Sequence, residues 1–190
     1  MNVIFLDIDG VIRCGHDNLK LDENKIKLLS KICKKYDCNI VLSSSWILTD
    51  VFFDEVTEKF YPNQNIIELM NLFNEYNINF IGMTPAIPNP SHLKGQEMWK
   101  EYDIKQYLNE HPNIEHMCII DDEDYDLKSL KEYLVLTKYY LDDPNCEGLT
   151  EDCIEKIGNI LKKEIYKPTK IYTYSTMMDK FYEDTVKIKK

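Results

Sequence analysis

The amino-acid sequence predicts an α/β fold, a three-layer sandwich built on a mainly parallel, Rossmann-like sheet. Three observations predict it. Short apolar stretches, VIFL (3–6), NIVL (39–42, apolar after Asn39) and MCII (117–120), read as strands buried on both faces. Stretches with apolar residues at helical spacing separate them, which is the alternation that gives a parallel sheet covered by helices. Small polar or acidic residues follow each run: Asp7 and Asp9, Ser43, then Asp121 and Asp122. Ligand sites of parallel sheets lie at the carboxyl ends of their strands.

Taken in order, residues 22–36 (DENKIKLLSKICKKY) place Ile26, Leu29, Ile32 and Cys33 on one helical face. Asp22 is the expected N-cap, and lysines near the end suit the helix C-terminus. Residues 65–76 read as an amphipathic helix and 78–82 as a strand. Pro85, Pro88 and Pro90 make 83–94 a loop. A helix is expected over 100–111, ending before Pro112. A short helix over 127–133 leads into a strand at 134–137, and an amphipathic helix covers 150–163. A helix, a core strand and a loop use up the stretch from Trp46 to Lys100. Residues 166–190, rich in Tyr and Lys, have no clear period and read as a packed strand or helix, or as a mobile tail.

The chain has 190 residues, 44% hydrophobic and 29% charged, values of an ordinary globular domain. A domain of residues 1–165 followed by a basic extension, 166–190, is expected. No apolar run approaches the roughly 20 residues of a membrane span, and the first residues lack the basic start of a signal peptide. A cytoplasmic protein is the expectation, with no membrane partner. The net charge of −10 argues against broad capture of nucleic acid. From Lys162 onward, however, eight lysines face four acids, so the rest of the chain carries −14. Arg13 is the only arginine, hence the only side chain able to hold a phosphate through a bidentate fork. Cys14, Cys33, Cys38, Cys118, Cys146 and Cys153 form no CxxC pair, and the four histidines form no metal-binding pattern.

The carboxylates carry the chemical information. Asp7 and Asp9 are two apart, so in an extended chain they emerge on one face. Asp122, from another strand end, completes a three-carboxylate cluster that calls for a cation or for protons. Hard oxygen ligands of this kind suit Mg2+. A carboxylate beside Mg2+ can attack phosphorus, and a second carboxyl can protonate the leaving oxygen and then activate water. A hydroxyl and a lysine can hold the charged oxygens. DxDG also opens a calcium loop, but Val11 stands where that loop needs another acid or Asn.

These residues resemble a known family. DIDGV (7–11) is similar to the first motif of the haloacid dehalogenase (HAD) superfamily of phosphatases and phosphotransferases. The strand ending in Ser43 resembles its second motif, and IIDDEDYD (119–126) its fourth, as Asp121, Asp122 and Asp126. LDENKIKLL (21–29), IVLSSSW (40–46), IGMTP (81–85), DIKQYLNEH (103–111) and GLTED (148–152) further resemble the HAD domain of Swiss-army-knife RNA repair proteins. The likeness spans residues 3 to about 161. It implies a Mg2+-dependent phosphatase with Asp7 as nucleophile, Asp9 as general acid/base and Ser43 binding the phosphoryl group. It implies metal ligation by Asp7, Asp122 and the Asp9 carbonyl, with Asp121 or Asp126 as a further carboxylate. The third motif departs from the family: alignment on DIKQYL selects Lys100, followed by Glu101 rather than Gly, over Lys94. Gly10, Arg13, Ser44 and Lys94 are the remaining candidates for contact with substrate.

The stretch between the first two motifs is short, so the resemblance implies a capless or minimally capped form with an open site. Its substrate would be a phosphorylated small molecule or a nucleic-acid end, and RNA contact would run through the tail. The alternative from another class is a non-catalytic phospho-ligand or protein-binding module on the same scaffold. Trp46 and Trp99 are expected to serve packing or loop anchoring. Oligomeric state is left open.

Overall fold

The computed structural model of the chain describes residues 1–14, 20–46, 51–54, 59–62, 64–85, 99–125, 127–138 and 147–166. Lys94, Asp126 and nearly all of the expected C-terminal extension lie outside them. The elements run β1 (Asn2–Leu6), α1 (Glu23–Tyr36), β2 (Cys38–Leu42), β3 (Val51–Asp54), β4 (Lys59–Pro62), α2 (Gln64–Glu75), β5 (Phe80–Met83), α3 (Trp99–Glu110), β6 (His116–Asp121), β7 (Leu134–Leu136) and α4 (Asp152–Ile160).

Five strands form one sheet in the order β5-β2-β1-β6-β7, and every neighbouring pair is parallel. The run VIFL is its centre, with β2 on one side and β6 on the other. Alternation along this strand sends its side chains to two separate cores. Ile4 and Leu6 join Ile26 and Leu29 of α1, Leu69 and Phe73 of α2, and Ile157 of α4. Val3 and Phe5 join Ile104, Tyr107 and Leu108 of α3, together with Leu127, Leu130 and Tyr133. Three helices therefore cover one face and α3 covers the other, giving the three layers expected. Each fully buried aliphatic side chain stabilises the fold by roughly 1.5–3 kcal/mol.

The ends of α1 match their sequence signals. The Asp22 carboxylate accepts from the N–H groups of Asn24 and Lys25, Lys34 and Lys35 occupy the last turn, and Asp37 closes the helix at φ 50°.

Two departures are instructive. The short helix expected over 127–133 is a chain of tight turns in which Leu130 bonds Leu127 and Tyr133 bonds Leu130, and only Lys131–Tyr133 is 3-10 helix. Leu127, Leu130 and Tyr133 recur every three residues, the period of a 3-10 turn, and all three are buried. Between β2 and α2 lies an antiparallel pair, β3 with β4, that the sequence reading does not anticipate. The aromatic runs VFF and KFY on either side of a polar stretch are a β signal, masked by their shortness. Among the described residues no helix is long and apolar enough to cross a membrane.

Candidate active site

The parallel ladder continues one step past the strand ends and lines up the polar residues. The Asp7 N–H donates to the Ile120 carbonyl at 3.0 Å, the Ser43 N–H to Leu6 at 2.8 Å, and the Thr84 N–H to Leu42 at 2.9 Å. Asp7, Ser43, Thr84 and Asp121, all buried, thus share the carboxyl end of the sheet.

Past Asp7 the chain turns tightly, with the N–H groups of Val11, Ile12 and Arg13 all directed at the Ile8 carbonyl. Gly10 sits at φ 68°, and a Cβ there would lie 2.5 Å from the Asp122 carboxyl. The glycine of DIDG is thus required twice, by its backbone conformation and by the approach of Asp122. Thr137, just after β7, donates its hydroxyl to the Gly10 carbonyl at 2.8 Å. Leu149 binds the Val11 carbonyl through its N–H, also at 2.8 Å. The first motif is therefore buttressed from two distant parts of the chain.

Ligand oxygens of Asp7, Asp121 and Asp122 lie within 4.8 Å of one another. Asp121 is 1% exposed. Lys100, at the start of α3, reaches into this group: its Nζ is 2.5 Å from Asp121 Oδ2 and 3.4 Å from Asp7 Oδ2. Burial pushes the Asp121 carboxyl up to about 7, against the pull of Lys100 and with the push of Asp7. Burial and then the Asp7 charge raise Asp122 to about 7 as well. Burial pulls the Lys100 ammonium down, but Asp7 and Asp121 more than offset it, so it stays firmly charged. Once ionised, three carboxylates with one ammonium between them carry uncompensated negative charge, and a divalent cation on hard oxygen ligands fits that deficit.

The remaining candidates divide. Ser43 is 2% exposed and its Oγ has no hydrogen-bond partner among the described residues. A buried hydroxyl in that state costs roughly 1–3 kcal/mol, which an arriving acceptor would recover. The Ser44 hydroxyl, by contrast, accepts from the Trp46 N–H at 3.4 Å. Asp9 does not join the other carboxylates in the cluster. Its Oδ1 faces Arg13 Nη1 at 3.0 Å, and its Oδ2 accepts from the Trp46 indole N–H at 3.0 Å.

Sequence reasoning missed Thr137, Glu101 and the Trp46 indole as members of the site's support. Glu101, where the family motif has Gly, is buried and accepts from the Ser129 N–H at 2.8 Å, the Ser129 hydroxyl at 2.7 Å and Lys105. Burial pushes its carboxyl up, but Lys105 and Ser129 more than offset this and hold it below the usual range. Glu101 thereby ties the start of α3, and so Lys100, to the loop that follows Asp122. A buried acid beside a functional lysine was the available signal, but only its partner 28 residues away explains it.

Residues 3–151 match the family model described as the HAD domain in Swiss Army Knife RNA repair proteins. Among solved structures, the chain is similar to a D,D-heptose 1,7-bisphosphate phosphatase from B. bronchiseptica crystallised with magnesium and phosphate. The identity is 14% and the TM-score 0.47, over 85% of this chain and 99% of that one. No curated protein sequence matches the chain.

Proposed function

The chain belongs to the family of HAD domains found in Swiss Army Knife RNA repair proteins, and we propose that it is a HAD-type phosphatase that works as follows. Asp7 is the nucleophile. One carboxylate oxygen attacks the phosphorus of a monoester as the bond to the leaving oxygen breaks, and Asp9 delivers a proton to that oxygen. Asp9, now a base, takes a proton from water as the water oxygen attacks the aspartyl-phosphate. The bond to Asp7 breaks, and the carboxylate and inorganic phosphate are released. Lys100 and the Ser43 hydroxyl hold the equatorial oxygens through both steps.

Mg2+ is the proposed cofactor, held by Asp7 and Asp122, by the Asp9 carbonyl as the family resemblance implies, and by Asp121 or Asp126 as a further carboxylate. Bound there, it supplies positive charge beside the phosphoryl oxygens. The observation that carries this reading is Lys100 set 3.4 Å from Asp7, inside a group of three carboxylates with no second ammonium among its described neighbours.

The proposed substrate is the terminal phosphate of a nucleotide or RNA. The name of the family supports this, and the lysine-rich segment from Lys162 onward supplies the positive charge that the rest of the chain lacks. Hydrolysis of p-nitrophenyl phosphate tests the chemistry: turnover should require Mg2+, stop in EDTA and vanish in Asp7→Asn. Turnover that survives Asp7→Asn would refute the mechanism. Phosphorylated RNA ends, offered beside sugar phosphates of equal charge, test the substrate class. A preference for the sugar phosphates would refute that part.

A further inference from the structure

Asp9 is the exposed member of a closed trio. Its side chain is 41% accessible, whereas that of Arg13 is 17% accessible and Trp46 is buried. Each member touches the other two. Arg13 Nη1 binds Asp9 Oδ1, the Trp46 indole N–H binds Asp9 Oδ2, and the guanidinium lies over the Trp46 ring at 5.1 Å. Cation–π contact of this kind is worth roughly 0.5–2 kcal/mol and fixes the plane of the guanidinium. The trio also spans two strand ends, because Arg13 lies on the turn after β1 and Trp46 lies three residues past Ser43.

A half-exposed aspartate on a turn would otherwise sample several rotamers. With a directional donor on each oxygen, its carboxyl is left one orientation. Proton transfer needs the donor within hydrogen-bond reach of the leaving oxygen, and misplacement by about 1 Å can cost roughly 100-fold in rate. We propose that Arg13 and Trp46 are positioning residues that hold the Asp9 carboxyl in place for proton delivery to the leaving group. The proposal rests on the reading of Asp9 as general acid/base. It gives Arg13 a role beside the direct grip on substrate phosphate expected from the sequence, since its Nη1 binds Asp9.

The test compares two leaving groups through kcat/KM, which covers the steps up to leaving-group departure. Nitrophenolate leaves with little need of a proton, whereas the alkoxide of glycerol phosphate needs one. Trp46→Phe keeps an aromatic ring beneath Arg13 and removes only the indole donor. It should lower the glycerol phosphate to nitrophenyl phosphate ratio of kcat/KM about tenfold, and Asp9→Asn should lower it further. In the Asp9→Asn background, adding Trp46→Phe should leave the ratio where it is, because the group being positioned is already gone. Arg13→Met, which leaves the buried indole untouched, repeats the test should Trp46→Phe fold poorly. An equal loss on both esters, or a further fall of the ratio in the double variant, would overturn the positioning role alone. A wild-type protein inactive on both esters in Mg2+ would instead overturn the phosphatase reading beneath it.

Discussion

The two ends of the same five-stranded sheet are built on opposite rules. At the amino end, polar side chains pair with one another or with backbone. Asn2 donates to the Tyr36 carbonyl at 2.7 Å, Asn39 to the Asn2 carbonyl at 3.2 Å, and Asn79 to Asn39. The N-terminal ammonium rests on Glu115. The Cys33 and Cys38 thiols nearby are pushed up to about 12 by burial and are therefore inert at neutral pH. At the carboxyl end, buried and half-buried groups are left in deficit: the carboxyls of Asp7, Asp121 and Asp122 crowd together, and the Ser43 hydroxyl has no partner among the described residues. One end of the sheet closes the fold. The other holds unmet electrostatic and hydrogen-bond demand, which is what a site for a cation and a phosphoryl group needs before either arrives.

Substitutions at the two ends should therefore behave differently. The largest effect on chemistry is expected from Lys100→Met, which removes the ammonium that touches Asp7 and Asp121. Turnover in Mg2+ should fall by about 10²–10³-fold, read as kcat on p-nitrophenyl phosphate. Next is Gly10→Ala. The positive φ and the Asp122 carboxyl 2.5 Å from the new Cβ together oppose it. A loss of about 2–3 kcal/mol is expected in urea unfolding, and Mg2+ affinity should fall with it as Asp122 is displaced.

Asp122→Asn should do the reverse to stability. Asp121 and Asp122 titrate near 7 in the fold against 3.8 ordinarily. The folded state therefore keeps protons that the unfolded chain releases, and it loses stability as pH rises from about 4 through 7. In EDTA at pH 8 the Asn variant should be more stable than wild type by about 1–2 kcal/mol, a figure reduced for the half-exposed position of Asp122. It should also be less active. By the same linkage Mg2+ should raise Tm more at pH 8 than at pH 5, because the cation binds the ionised carboxylates; an equal rise at both would count against the cluster as its site. The smallest effect belongs to the amino end. Asn39→Ala should cost about 1 kcal/mol in urea unfolding and leave turnover unchanged.

What could be read from the sequence followed local patterns. The runs VIFL, IVL and MCII announce central strands because a doubly buried strand needs no polar residue, and Asp7, Ser43 and Asp121 stand out because each follows such a run. Lys100 could be singled out over Lys94 only through the family resemblance, by alignment on DIKQYL. What stayed hidden depends on contacts distant in the chain. Trp46 meets Asp9 across 37 residues, Glu101 meets Ser129 across 28, and Thr137 meets Gly10 across 127. Nothing in SSSW or LVLT marks those partners. The β3–β4 pair escaped because four-residue strands carry too little periodicity to compete with a loop or helix assignment.

The most direct test of the account is the mass of the protein quenched in acid while it turns over p-nitrophenyl phosphate in Mg2+. A fraction of the chains should be heavier by one phosphoryl group, mapped to the peptide containing Asp7 and absent from Asp7→Asn. A phosphoryl group trapped on any other residue, or on the Asp7→Asn chain, would contradict the account.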